Sequence, residues 1–417
     1  MELVEILRLV NFGVAVLFTL CYAYQFFYLP VPLVKKDRSH GPVEYRRYAV
    51  LISARNEEAV IGHLLASLRD QDYPADLLTV FVVADNCTDH TAQAARDQGA
   101  VVYERFHSGQ VGKGYALDFL LRQIRRDYGR QFDGFFVFDA DNLLKPDYIS
   151  QMNRTFCDGY GIVTSYRNSK NYGDNWISAG YALWFLREAE FLNHARMLLG
   201  TSCAVSGTGF LFSRQVLEHH GGWPFHLLTE DIEFTVASIV DGYRVGYCRE
   251  AVLFDEQPVT MRQSWRQRMR WAKGYLQVFR AYGGRLLRGI FRRNGFACFD
   301  MAMAIMPAIT LTILSIAVNV AAAAACILSG QDVLAALWSV AEMLLNSYLL
   351  MLFLGAVTTA TQWKQIHAAA GKKILYTFTF PLFMLTYIPI SFAALFCKVE
   401  WKPIEHKRAM SLAELGK

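Results

Sequence analysis

The sequence predicts an α/β fold: a mostly parallel, doubly wound, Rossmann-like sheet set between apolar α-helical segments that cross a membrane. Two observations carry this. Between residues 46 and 142, uniformly apolar runs alternate with stretches at helical spacing, the pattern of strands covered on both faces by crossover helices. Long uncharged runs flank this region, and 53% of the 417 residues are hydrophobic, more than an ordinary water-soluble enzyme carries.

The first element lies between Arg8 and Lys35, 26 residues without a charge. It is longer than the apolar core of a signal peptide, about 7 to 15 residues, and reads as a retained spanning helix. "RRYAVLISARNEE" (46–58) is a strand ending in a polar loop. A helix over 57–69 follows, with Val60, Ile61, Leu64, Leu65 and Leu68 on one face. "TVFVVADNCTD" is a second strand and loop, "HTAQAARDQG" a helix closed by Gly99, and "AVVYERF" a third strand. "GKGYALDFLLRQI" is a helix and "DGFFVFDADN" a fourth strand. Three apolar stretches come later: 301–328, 333–357 with Glu342 and Asn346, and 374–397, whose Pro381 and Pro389 mark a broken or re-entrant segment. The expected organisation is an anchor and linker (1–40), a cytosolic domain (41–260), amphipathic interface helices (261–296), a membrane bundle (297–400) and a juxtamembrane tail (401–417).

The charge is uneven. Residues 262–293 hold ten Lys or Arg and no acid, leaving 32 basic against 37 acidic residues elsewhere. Such a stretch suits anionic lipid or phosphate, and no recognition module for nucleic acid accompanies it. Lys35, Lys36 and Arg38, with the basic stretch, place the middle domain in the cytoplasm of a plasma-membrane protein. Eight scattered cysteines without a CxxC pair read as reduced thiols. No GxGxxG follows the first strand, and "SGQVGKG" lacks phosphate-loop spacing, so neither a dinucleotide enzyme nor a P-loop NTPase is supported.

In a doubly wound sheet, ligands bind at the carboxyl ends of the strands, where this chain puts Arg55 to Glu57, Asp85, Asp139 and Asp141. A strand's period of two sends Asp139 and Asp141 to one side, and a divalent cation bridging to a diphosphate would relieve their repulsion. Asp85 can reach a base or ribose, Asp89 suits a helix cap, and Lys113 between two glycines can approach phosphate. In "LLTEDIEFTVASIVDGYRV", Glu230 and Asp231 open a Thr-capped helix; Asp231 could also take a proton from a sugar hydroxyl. "SGTGFLF" (206–212) is an acceptor-side loop through Gly207 and Thr208, with Phe210 and Phe212 equally suited to the core. Trp401 to His406 read as an interfacial anchor.

The ordered set of Asp85, Asp139-Ala-Asp141, Thr229-Glu230-Asp231 and Gln267-Arg268-Met269-Arg270-Trp271 resembles the membrane-integrated family 2 glycosyltransferases, which include cellulose, chitin, hyaluronan and poly-N-acetylglucosamine synthases. The resemblance implies a GT-A fold and a UDP-sugar donor contacted by Ala54, Arg55, Glu57, Asp85, Lys113, Asp139, Gln267 and Arg270. It implies Mg²⁺ or Mn²⁺ on Asp141, Asp231 as catalytic base beside Glu230, and Trp271 under the acceptor sugar. Arg55 stands where relatives commonly carry an aromatic residue, and Ala84 where they carry a first aspartate. The expected reaction is inverting transfer to a β-linked polysaccharide exported through the bundle, with accessory export subunits as further partners. The alternatives are a single-transfer glycolipid synthase of the ceramide-glucosyltransferase kind and a non-catalytic nucleotide-sugar-binding membrane protein.

Overall fold

The computed structural model describes residues 3–37, 39–292, 294–328, 333–401, 406 and 408–415. Arg38 and Arg293, used above to orient the chain, lie outside them.

The strands are β1 (Tyr48–Ala54), β2 (Leu78–Asp85), β3 (Val101–Arg105), β4 (Gly134–Asp139), β5 (Leu143–Leu144), β6 (Ile162–Ser169), β7 (Phe210–Ser213) and β8 (Val245–Asp255). Among the described residues they form one sheet in the order β3-β2-β1-β4-β7-β6-β8-β5. β1 runs parallel to β2 and β4, and β2 to β3. β7 is antiparallel to both of its neighbours. The sheet is therefore mixed but mostly parallel. Period-two alternation splits β1 between two cores: Ala49 and Leu51 pack with the helix Lys113–Tyr128, and Val50 and Ile52 with the helix Ile61–Arg69.

The expected helix over 57–69 starts only at Ile61, because residues 55–60 form a turn with Asn56 in the left-handed region. Phe210 and Phe212 are core residues.

After the sheet, one long helix, Met261–Gly289, leads into Gly295–Ile305, Pro307–Leu328, Val333–Thr361, Ala370–Leu385 and Tyr387–Phe396. Among the described residues, three segments are long and apolar enough to cross a membrane: Leu9–Val34, Val340–Thr361 and Ala370–Phe396. A bent pair, Gly295–Ile305 with Thr310–Ala322, would make a fourth. The last apolar stretch breaks at Thr386, yet its two pieces together have the length of one crossing. Glu342 and Asn346 are exposed.

The basic stretch differs from the expected lipid-facing helix. Arg268 is fully buried; it donates to the Phe383 carbonyl (3.0 Å) and Thr386 Oγ1 (2.6 Å), with its guanidinium over Phe383 and Tyr387. Lys273 donates to the Ala394 carbonyl (2.9 Å), one of those left open at a helix C-terminus. Val278 and Leu286 pack against Val236, Ile239, Met301 and Ile305. Burying these side chains in protein removes more apolar surface than laying them on headgroups. Arg262, Arg266, Arg280, Arg288 and Arg292 remain exposed.

Candidate active site

The carboxyl ends of β1, β2 and β4 open on one edge. β4 ends at Asp139, and a turn closed by Asn142 N to the Asp139 carbonyl (3.1 Å) follows, so strand periodicity does not extend to Asp141. The turn itself sets the two carboxylates. Asp139 receives Lys113 Nζ, which also donates to the Gly207 carbonyl (2.7 Å). Lys113 opens its helix, and Gly114 is so close to Phe225 that a Cβ there would lie 2.1 Å from the Phe225 carbonyl oxygen. A side chain at position 114 would lift the lysine out of place.

Asp141 is buried, with Oδ2 accepting from the Glu256 amide (2.7 Å). Burial alone would push its carboxyl up; His406, Lys170 and the Glu256 amide outweigh it and hold the group below the ordinary carboxylate range. Among the described residues Oδ1 has only the Asn142 amide, at 3.4 Å, so an ionised hard oxygen is available to a cation. With Asp139 two residues away and diphosphate and water completing the shell, the donor set fits Mg²⁺ or Mn²⁺.

Thr208 is buried here. Its hydroxyl donates to Asn142 Oδ1 and accepts from the Asp139 amide (2.9 Å), so it braces the acidic turn instead of facing an acceptor. Gly207, with φ of 77°, brings the loop against the next acid: a Cβ there would lie 3.7 Å from Asp231 Oδ2. Asp85 is also committed, pairing in a buried site with Arg105 (2.6 Å), which leaves less of it open to a uridine than expected. Asp89 accepts from the Thr91 amide (3.1 Å), as a capping residue does.

Glu230 and Asp231 begin the helix Glu230–Val240. The expected threonine cap is absent; the buried Thr229 hydroxyl has no hydrogen-bond partner. The residue is taken up by packing, because Gly274 of the long helix comes so close that a Cβ would meet Thr229 Cγ2 and Oγ1 at 2.5 Å. This approach seats the long helix on the acidic turn and brings in Arg270, one turn earlier, which donates to the Leu228 carbonyl (2.9 Å). Burial pushes Asp231 up, opposed by Arg270 and Lys113. Burial, then the Asp231 charge, pushes Glu230 up to about 7. Asp231 is half-buried. Gln267 carries a buried Oε1 without a partner, and Trp271 packs edge-on to Tyr181 (5.7 Å) and Phe185 (6.2 Å).

Sequence reasoning missed the tail's place. His406 hydrogen-bonds Glu57 (3.0 Å), and Asp141 and Glu57 lift its pKa to about 10 against the opposing effect of burial. Trp401 lies under Arg55 (5.5 Å) and 3.8 Å from the Cβ position of Gly112. Residues 401 and 406 therefore stand over the acidic corner. Lys170, which donates to the Asp141 carbonyl, was also missed. Neither residue belongs to a local pattern.

A doubly wound sheet whose carboxyl edge gathers acids, Lys113 and Arg270 around one space has the architecture of a GT-A transferase. The chain belongs to the family described as glycosyltransferase-like family 2, which matches residues 46–274. It is 30% identical over 258 residues to beta-monoglucosyldiacylglycerol synthase of Synechocystis sp., covering 60% of this chain and 52% of that one. It is 25% identical over 250 residues to poly-beta-1,6-N-acetyl-D-glucosamine synthase of Staphylococcus epidermidis, covering 59% and 58%. The chain thus spans about half the length of the curated relatives it matches. In fold it is similar to the mannosyltransferase PcManGT of Pyrobaculum calidifontis, solved with GDP-Man and Mn²⁺ (TM-score 0.59, 18% identity, 94% of this chain and 99% of that one).

Proposed function

We propose that the protein is an inverting glycosyltransferase that moves a hexosyl or N-acetylhexosaminyl unit from a UDP-sugar to an acceptor hydroxyl at the cytoplasmic face of the plasma membrane, extending a β-linked polysaccharide. The convergence of Lys113, Asp139, Asp141, Asp231 and Arg270 on one edge of the sheet carries this reading. Asp231 takes the acceptor proton, the acceptor oxygen attacks the anomeric carbon, and the bond from that carbon to the β-phosphate oxygen breaks with inversion. Arg270 and Lys113 meet the negative charge that grows on the departing diphosphate. A divalent cation held by Asp141 would neutralise part of the same charge when bound. Gln267 has an unsatisfied oxygen for the donor, Trp271 gives the acceptor an apolar surface, and Ala54, Arg55, Glu57 and Asp85 border the nucleotide.

A second reading, single transfer to a lipid acceptor, is favoured by the similarity to beta-monoglucosyldiacylglycerol synthase. Product length from radiolabelled UDP-sugar separates the two: a ladder supports the polymer, one lipid-linked sugar the alternative. Asp231→Asn is expected to lower transfer roughly 10²- to 10⁴-fold, as loss of a general base does, while UDP affinity stays within twofold. Unchanged turnover removes the base and with it the proposed reaction.

A further inference from the structure

Away from the candidate active site, two helix ends converge. The helix Arg214–His219 is capped by His220, and the helix Glu230–Val240 by Asp241. His219 Nε2 lies 3.1 Å from Asp241 Oδ2, and His220 Nδ1 lies 3.9 Å from the same oxygen. The ligand atoms that the three residues offer all lie within 4.8 Å of one another. Two atoms each about 2.1 Å from a tetrahedral zinc ion stand about 3.4 Å apart, so the two observed spacings bracket that of a metal centre.

The surroundings fix these side chains in place. His220 Nε2 pairs with Ser238 Oγ (3.2 Å), and the ring packs edge-on to Phe225 (5.1 Å) and Phe234 (6.1 Å). A ligating histidine commonly has its second nitrogen hydrogen-bonded in this way, which sets the ring and aims the other nitrogen at the metal. Here the other nitrogen is Nδ1, on the Asp241 side. Arg285 of the long helix donates to Asp241 Oδ1 (2.6 Å), which orients the carboxylate with Oδ2 toward the histidines. Asp241 caps an eleven-residue helix, whose last carbonyls add partial negative charge. His219 is exposed, so water can complete the coordination shell.

We infer that His219, His220 and Asp241 bind a divalent transition-metal ion of the zinc type, separate from the cation proposed at Asp141. Two imidazoles and a carboxylate suit Zn²⁺, whereas the oxygen donors at Asp141 suit Mg²⁺ or Mn²⁺. The ion takes the place of the proton shared by His219 and Asp241. Its position gives it a structural task, because the segment between these ligands carries Phe225, whose carbonyl abuts Gly114 next to Lys113, and then Glu230 and Asp231. A metal clip at both ends closes that segment into a loop and reduces the freedom its unfolded chain would regain.

The test uses the full chain in detergent, stripped with a chelator and then kept in Mg²⁺ and UDP so that the donor site is filled. Zn²⁺ binding is read by competition with a chromogenic chelator, and Co²⁺ binding by visible absorption. One equivalent of Zn²⁺ per chain is expected, with a Tm about 2 °C or more above that of the stripped protein. His219→Ala and Asp241→Asn should each weaken Zn²⁺ binding at least tenfold and remove both the Co²⁺ band and the Tm shift. His219→Cys should retain Zn²⁺, since a thiolate also ligates it. Because His219 is exposed, stripped His219→Ala should melt with stripped wild type, which separates lost binding from lost folding. A wild type without stoichiometric Zn²⁺, or binding that His219→Ala and Asp241→Asn leave unchanged, overturns the inference. These readouts do not depend on sugar transfer, so failure of that reaction would show separately.

Discussion

Asp231 and Glu230 are adjacent acids in a space lined by protein, and their protonation decides when the site can work. Burial raises both, Glu230 to about 7, and a base must be ionised to accept a proton. A raised carboxyl keeps its proton to higher pH, so kcat should rise through a limb above the ordinary carboxylate range. The apparent value belongs to the pair. A pH profile from 5 to 9 checks this; a limb near 4 would mean that the site does not enclose these acids. The acidic clusters and the Gln267–Trp271 stretch were legible in the sequence because their spacing is local. The bracing contacts of Thr208 and the places of Lys170 and His406 were not legible because they depend on partners far along the chain. His406 meets Glu57 across 349 positions, and no periodicity records such a contact.

Elements meet at two points that substitutions can probe. Gly274 lets the long helix sit on Thr229, so Gly274→Ala should push Arg270 away from the acidic turn and cut transfer at least tenfold. Adding Thr229→Ala removes the atoms that clash and should restore part of the lost rate; no rescue would show that the close approach does not place Arg270. Arg268 pins the same helix to the last apolar segment. Arg268→Ala removes a buried charged donor from the Phe383 carbonyl and Thr386 Oγ1, which keep only their bond to each other, and removes three cation–π contacts, a loss of about 3 kcal/mol read as a lower detergent-phase Tm. A Tm unchanged within a degree would contradict that role. The first four strands were legible because each is an unbroken apolar run. β7 was read as loop, since four residues after two glycines carry little pattern, and only pairing with β4 and β6 makes them a strand. The long helix was recognised but its environment was misread: a basic amphipathic stripe looks the same whether lipid or protein covers it.

At the scale of the whole molecule, the sheet domain is tied to the apolar segments by a buried cluster. Asp300 receives Arg196 through two bonds (2.7 and 2.8 Å) and the hydroxyls of Tyr24 (2.7 Å) and Tyr28 (2.9 Å). Together with Arg268, it holds the candidate site against the helices that would enter the bilayer, where a membrane-borne acceptor would be presented. The layout of apolar segments around a central α/β domain was legible from charge-free length alone, whereas this tie was not, because its members come from three distant parts of the chain. The whole proposal depends on residues from β1, β4, the Glu230 turn and the long helix facing one diphosphate. A cryo-EM map of the full chain with UDP and Mn²⁺ tests that most directly. Density for the diphosphate between Lys113 and Arg270, with the metal on Asp141, is the expected result; UDP bound elsewhere, or a metal remote from Asp141, would contradict it.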